Sequence, residues 1–208
     1  MEKTDWKKLE KTLYLPGPKP ERITAPRLRF LSVDGRGEPS GAAFSHRVEA
    51  LFSLSYAIKM AVKKGMSPFD PCDYAVYPLE GIWDLEAAPA KGAPIDKTAL
   101  VYTLQIRQPA FLTSEYVREA MERTRVKKPD LSLDGVRFEE FEEGPCVQML
   151  HIGPFDEEPK SFAILDSHLA ASGLKRRSHA HREIYLGDFR KTAPEKMRTV
   201  LRVGVEPA

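Results

Sequence analysis

Cys146-Val147-Gln148-Met149-Leu150-His151-Ile152, with the turn Gly153-Pro154-Phe155 behind it, decides the fold, because it opens a second pass through an order of elements the chain has already run once. The seven residues read as a strand. Glu158 to Ser172 follows as a helix with Phe162, Leu165 and Leu169 inward, and Gly173 can take the left-handed conformation that closes it. His181-Arg182-Glu183-Ile184-Tyr185-Leu186 and Thr199-Val200-Leu201-Arg202-Val203-Gly204-Val205 form a closing pair of strands. Between them Thr192-Ala193-Pro194-Glu195 has capping-box spacing, which predicts the start of a short helix.

The first pass lies upstream. Leu28-Arg29-Phe30-Leu31-Ser32-Val33 is apolar on parts of both faces, as a central strand is, and Asp34-Gly35-Arg36-Gly37 turns the chain. Ser40 is a good N-cap for a long helix whose inner face is Phe44, Val48, Leu51, Phe52, Ser55, Ile58 and Val62, with Gly65 at its end. Tyr74 to Leu85 and Leu100 to Ile106 read as a hairpin around a loop at Ala87 to Pro94. Pro78 and Gly81 inside its first strand predict a bulge, or a place where something approaches the backbone closely. A shorter helix runs from about Ser114 to Lys128 and stops at Pro129. Strand, helix, strand, strand thus occurs twice, which predicts an α+β fold of tandem pseudo-symmetric β-α-β-β repeats, with halves at about 27–112 and 136–206 and a central ligand cleft between them. Residues 1–26 read as a charged, Pro-rich arm over a domain spanning 27–208, with Trp6 and Tyr14 as its anchors.

Composition narrows the function. Among 208 residues, 32 basic side chains nearly cancel 30 acidic ones for a net charge of +2, which argues against a broad positive field for nucleic acid. The absence of an apolar run near the ~20 residues of a membrane helix, and of an apolar signal core at the N-terminus, makes the cytoplasm the expected compartment. Cys72 and Cys146 are far apart and read as small buried apolar side chains. The Glu139–Glu143 run reads as an exposed strand edge and Lys175-Arg176-Arg177 as a solvated turn.

Chemistry concentrates where the second strands of the two halves align. Gly81-Ile82-Trp83 lies over Glu183-Ile184-Tyr185; the shared Ile is expected to point towards the helices, so Trp83, Glu183 and Tyr185 share the opposite face. An indole, a phenol and a carboxylate on one seam would suit a flat, apolar or cationic ligand, and the carboxylate could also act as a general base. The bland alternative stands beside it: Glu183 paired with Arg182 or Arg202, and Trp83 and Tyr185 as ordinary core aromatics. His179 and His181 share a strand face, but no Cys or third His is placed to complete a metal site and Asp188 is the one nearby carboxylate that could, so neither metal nor cofactor is expected. His46, His151 and His168 read as surface or core histidines. Asp34-Gly35-Arg36-Gly37 lacks the pattern of a phosphate loop, and the chain has no Gly-x-Ser-x-Gly elbow.

Leu79-Glu80-Gly81-Ile82-Trp83, Ile106-Arg107-Gln108-Pro109, Cys146 through Pro159, His181-Arg182-Glu183-Ile184-Tyr185-Leu186 and Arg190-Lys191-Thr192-Ala193-Pro194-Glu195-Lys196 together resemble the GyrI-like small-molecule-binding family, and most closely its stand-alone bacterial branch. The resemblance implies a cleft for bulky, often cationic aromatic compounds, with a role in xenobiotic protection. It makes Trp83, Glu80, Glu183 and Tyr185 the candidate ligand-binding residues. Some stand-alone members are described as cyclopropanoid cyclopropyl hydrolases, which open the cyclopropane of DNA-alkylating compounds. That implies the alternative, a hydrolase with Glu183 and Tyr185 as candidate catalytic residues, Glu183 activating water. Gly187 and Phe189 stand where the family leads one to expect Ser and Pro, a departure expected to fall just outside the cleft. Without a helix-turn-helix ahead of the domain, no direct nucleic-acid binding is expected; an interaction with gyrase would follow from the family name only.

Overall fold

The computed structural model describes residues 3–86 and 97–208; the loop expected at Ala87 to Pro94 lies outside them. In chain order the elements are β1 (Lys3–Thr4), α1 (Trp6–Leu9), α2 (Lys11–Tyr14), β2 (Glu21–Arg36), α3 (Ala42–Lys63), β3 (Asp73–Tyr74), β4 (Leu79–Leu85), β5 (Leu100–Gln108), α4 (Ser114–Lys127), β6 (Arg137–Ile152), α5 (Glu158–Ala171), β7 (Leu174–Arg176), β8 (His181–Tyr185) and β9 (Arg198–Pro207). Strands run in the order β6-β2-β5-β4-β8-β9, and β9 pairs back onto β6, so six antiparallel strands close into a ring. The first half supplies β2, β5 and β4, the second β6, β9 and β8. The halves meet at two seams, β2 on β6 and β4 on β8. This is the duplication read from the sequence, and closure gives each of the six strands a partner on both sides over part of its length.

Each strand shows one face to the helices and one to the arm. On the helix face Leu31, Val33, Leu104 and Ile106 pack against Val48, Leu51, Leu54 and Ile58 of α3. Val147, Met149, Leu201 and Val203 pack against Leu165 and Leu169 of α5. The α3 stripe at three- and four-residue spacing is therefore buried, apart from the half-buried Phe52, and Gly65, at φ +67°, ends the helix in the left-handed region.

The arm face is built from charge. Arg182, 2% exposed, donates from Nη1 to Glu80 Oε2 at 2.7 Å and Gln105 Oε1 at 2.9 Å, and from Nε to Glu143 Oε2 at 3.1 Å. Arg202 donates to the same Glu143 oxygen at 3.1 Å and to Gln148 Oε1 at 2.9 Å. Burial alone would raise the Glu143 carboxyl; Arg182 and Arg202 outweigh it and hold the group below its usual range. The arm seals this layer: Tyr14 donates to Glu80 Oε1 at 3.2 Å, Thr12 and Leu13 carbonyls accept from Gln148 and Arg202, and Trp6 Nε1 donates to Val76 O. Trp6 and Tyr14 are both buried, as anchors should be.

Several local expectations need correcting. β2 begins at Glu21 rather than Leu28; the ladder with β6 continues on either side of Pro26. β6 begins at Arg137, and Glu139–Glu143 is the largely exposed strand edge expected, paired with β2 on one side, except that its last member is a half-buried ion-pair partner of Arg182 and Arg202. Gly41, not Ser40, is the N-cap of α3, and Ser40 Oγ instead donates to Glu38. The first hairpin strand is split: Asp73–Tyr74 pairs with β1, and β4 starts after Pro78, which has no N–H to donate. Lys175-Arg176 sits in β7 rather than a turn, with Arg176 on Asp166. Thr192 Oγ1 bonds Asp188 O instead of capping, and the helix after it is a single tight turn, Pro194–Lys196.

Candidate functional site

At the seam of β4 and β8, Gly81 lies opposite Glu183 and Trp83 opposite His181. Strand alternation sends Trp83, His181, Glu183 and Tyr185 to the same face, and that face is the helix side. The shared-Ile inference was inverted: Ile184 packs with Trp6, Tyr14 and Val200 under the arm. The sequence pattern gave the pleat correctly, but which side carries the helices depends on the arm supplying an apolar cover of its own.

Trp83 Nε1 donates to Tyr185 Oη at 2.9 Å, and Tyr185 Oη donates to Glu183 Oε2 at 2.7 Å. The other carboxylate oxygen, Oε1, meets His181 Nε2 at 3.1 Å. Gly81 makes this relay possible, because a Cβ there would stand 2.5 Å from Trp83 Nε1. That is the close approach anticipated at Gly81, made by the chain's own indole. Trp83 is further fixed by Phe44, stacked at 6.1 Å, and by Tyr102 at 4.9 Å. Burial, and next the Glu183 carboxylate, drive the Tyr185 phenol well above its ordinary value, so it stays a neutral donor.

A second acid completes the cluster. Glu158, the first residue of α5, is 6% exposed and lies near enough to Glu183 for the two carboxyls to act on each other. Its Oε1 has no hydrogen-bond partner among the described residues. Burial, then the Glu183 charge, push the Glu158 carboxyl far above the usual carboxylate range, which leaves it protonated at neutral pH. Neither Glu158 nor Glu183 is ion-paired with an Arg or Lys among the described residues: Arg182 and Arg202, the partners weighed for Glu183, are one residue out of phase and face the arm.

Beside Tyr185 opens a cleft of about 100 Å³, lined among others by Phe155, Tyr185, Gly187, Phe189, Met197 and Thr199. Phe155 and Phe189 meet the Tyr185 ring edge-on and tilted at 5.9 and 5.4 Å. Gly187 and Phe189, expected just outside the cleft, are in its wall. Trp83 and Glu183 stand behind Tyr185, which is the only one of the sequence-predicted residues in the wall itself. Glu80 is not brought to this cluster: it shares a strand with Trp83 but is three residues away, so it points to the arm face and is consumed by Arg182 and Tyr14. His151, buried, joins Ser161 and the Pro154 carbonyl and buttresses the turn that carries Phe155. Sequence reasoning missed Glu158, Phe155 and Phe189. The first two lie in the Phe155-Asp156-Glu157-Glu158-Pro159 stretch, which carries part of the family resemblance but whose acids stand at a helix start, where they ordinarily complement the helix dipole. No group of three or more His, Cys, Asp or Glu placed to hold a metal occurs among the described residues, and His181 is engaged by Glu183.

A model of the GyrI-like small molecule binding domain matches residues 18–206. The chain belongs to the GyrI-like family. Among solved structures, this GyrI-like chain is similar to an uncharacterized conserved protein from Listeria innocua, at 42% identity and a TM-score of 0.90, with 98% of this chain and all of that one covered. It is also similar to a protein described as a hydrolase from Listeria innocua, at 39% identity and a TM-score of 0.86, over 98% of this chain and all of that one. The EcmrR C-terminal domain, at 11% identity and a TM-score of 0.54 over 91% of this chain and 98% of that one, shares the fold alone. No curated protein matches the sequence. The chain is thus a GyrI-like small-molecule-binding domain, and none of its described helices is long and apolar enough to cross a membrane.

Proposed function

We propose that the protein binds flat, apolar, often cationic aromatic molecules against Tyr185, in a role of xenobiotic protection. The observation that carries this reading is the Trp83–Tyr185–Glu183 relay, which backs an aromatic wall with a carboxylate that no Arg or Lys among the described residues neutralises. Aromatic faces and an uncompensated carboxylate both attract a ligand cation. A cleft of about 100 Å³ is smaller than the ~300 Å³ at which drug-sized sites begin, so a bulky ligand enters by swinging Phe155 or Phe189 aside. Phe155, 37% exposed, has room to do so. The test is titration of the protein's tryptophan fluorescence with an aromatic quaternary ammonium dye and with its neutral isostere. Glu183→Gln should weaken the cation roughly tenfold, about 1.4 kcal/mol, and leave the neutral compound unchanged; equal losses for both would remove the electrostatic part of the reading.

A second reading, hydrolysis of a strained cyclopropane, is favoured by the Glu158–Glu183 carboxyl pair. A pair that keeps one proton has both a base and an acid at hand. The 39%-identical relative, described as a hydrolase, agrees with this reading in kind only. Incubation with a cyclopropane conjugated to a dienone, followed by mass spectrometry, separates the two readings. A product heavier by one water that disappears in Glu183→Gln supports hydrolysis, whereas saturable binding without product leaves the binding module.

A further inference from the structure

We propose that Lys196 and Arg198 form an anion-binding rim to the cleft beside Tyr185, so that its ligands are flat aromatics carrying a carboxylate on the edge that points out. This subsite rests on the binding reading above and names the outer end of the ligand, which that reading leaves open. Both side chains line the cleft and both are exposed, whereas Tyr185, Met197 and Thr199 in the same wall are buried. The two cations therefore stand at the entrance, with the apolar wall behind them.

Their charge is not used by the fold. Neither side chain is ion-paired with, hydrogen-bonded to or stacked on any described residue. The other cations of the segment are engaged: Arg190 donates to Asp188 at 2.8 Å, and Lys191 lies 3.9 Å from the same carboxylate. The acids that follow Phe155 are engaged as well, Asp156 by Lys97 at 3.4 Å and Glu157 by Lys160 at 2.8 Å. Glu195, next to Lys196 in the chain, is outside the wall and pairs with neither rim residue. The cleft entrance is thus left with two positive charges that no carboxylate among the described residues offsets.

Their placement suits one planar anion. Lys196 closes the tight turn Pro194–Lys196 and Arg198 opens β9 two residues on, with the buried Met197 between them. The ladder holds Arg198 opposite Ile152, and its carbonyl accepts from Leu186 N at 3.0 Å. A guanidinium on a fixed backbone presents a fork that meets a carboxylate side-on, and an ammonium adds a mobile point charge. Thr199, the next residue of β9 and 1% exposed, lines the same wall with a hydroxyl that bonds no described residue, a third donor in reach of the cleft. Behind Tyr185 stands the Glu183 carboxylate, so the potential changes sign along the cleft, negative at the inner end and positive at the rim. A ligand is oriented as well as held: its electron-poor edge goes in and its anionic edge stays out.

Calorimetric titration of the intact protein with 2-naphthoate and with its uncharged isostere 2-naphthamide reads the rim. The ring system is the same in both, so the ratio of their dissociation constants isolates the charge. Exposed ion pairs are individually weak, and two of them should make naphthoate about fivefold tighter than the amide at low ionic strength. That ratio should fall close to one in wild type at about 1 M salt and in the double variant Lys196→Gln/Arg198→Gln. Both side chains are exposed and unpaired among the described residues, so the variant should fold and should bind the amide as wild type does. A ratio near one in wild type, a ratio that survives the double substitution, or an amide weakened as much as naphthoate would overturn the rim and leave the cleft beside Tyr185 standing. Failure of both compounds to bind the wild-type protein would overturn the binding reading of the cleft, and the rim with it.

Discussion

Gly81→Ala tests whether the site depends on one bare backbone position. The added methyl would sit 2.5 Å from Trp83 Nε1, about 0.9 Å inside the 3.4 Å at which ordinary contact begins, and 3.1 Å from Cε2. The indole cannot yield cheaply, since Phe44 and Tyr102 hold its faces and its N–H is committed to Tyr185. Overpacking of this kind costs ~1–3 kcal/mol, and the Trp83–Tyr185 hydrogen bond, if broken, adds about 1 kcal/mol. A loss of roughly 2–4 kcal/mol should lower Tm by about 5–15 °C in a chain of this length. Differential scanning calorimetry gives Tm, and the dye titration run in parallel should show weakened binding, because the phenol that lines the cleft loses its fixed partner. A Tm within about 2 °C of wild type with unchanged affinity would refute the claim that Gly81 is bare for the sake of Trp83.

Arg182→Met should cost about 3–5 kcal/mol in urea unfolding, because Glu80 is left buried without a cation, while Glu143 keeps Arg202. The pH dependence has a definite sign. Glu143 is held below its ordinary value of 4.5, so its contribution is present above about pH 4.5 and is lost as pH falls through the lower, folded value; the acid limb of wild-type stability should flatten in Glu143→Gln. Phe189→Ala should enlarge the cleft and tighten binding of larger aromatic cations relative to single-ring ones, read as a change in the ratio of their dissociation constants.

The duplication was legible because helix period and strand pleat leave separate signatures, and β-α-β-β appears twice with its closing glycines in the same places. The common face of Trp83, Glu183 and Tyr185 followed from alternation alone. What lay over that face did not, since it is set by a long-range contact: Trp6 and Tyr14 reach Ile184 and Val200 across the whole sequence. Glu143 looked like one more member of a solvated acidic run because its partners, Arg182 and Arg202, are far along the chain. Glu158 carries no sequence signal of its own, because an acid in the first turn of a helix ordinarily faces solvent and complements the dipole. Phe189 sits outside any regular element, where no periodicity reports whether a ring faces in or out.

The arm-side ion network has a bearing on β8 that its stability alone does not express. Along His181–Tyr185 one side chain after another goes to opposite sides of the sheet, the guanidinium to the arm side and the carboxylate and phenol to the helix side. A slip of one residue would put Glu183 against Glu80 and Glu143 and push Arg182 into the aromatic wall, a double mismatch of sign. The network therefore works as a key cut for one register. It indexes a five-residue strand so that Glu183 and Tyr185 stay on the helix side, and it does so from the opposite side of the sheet.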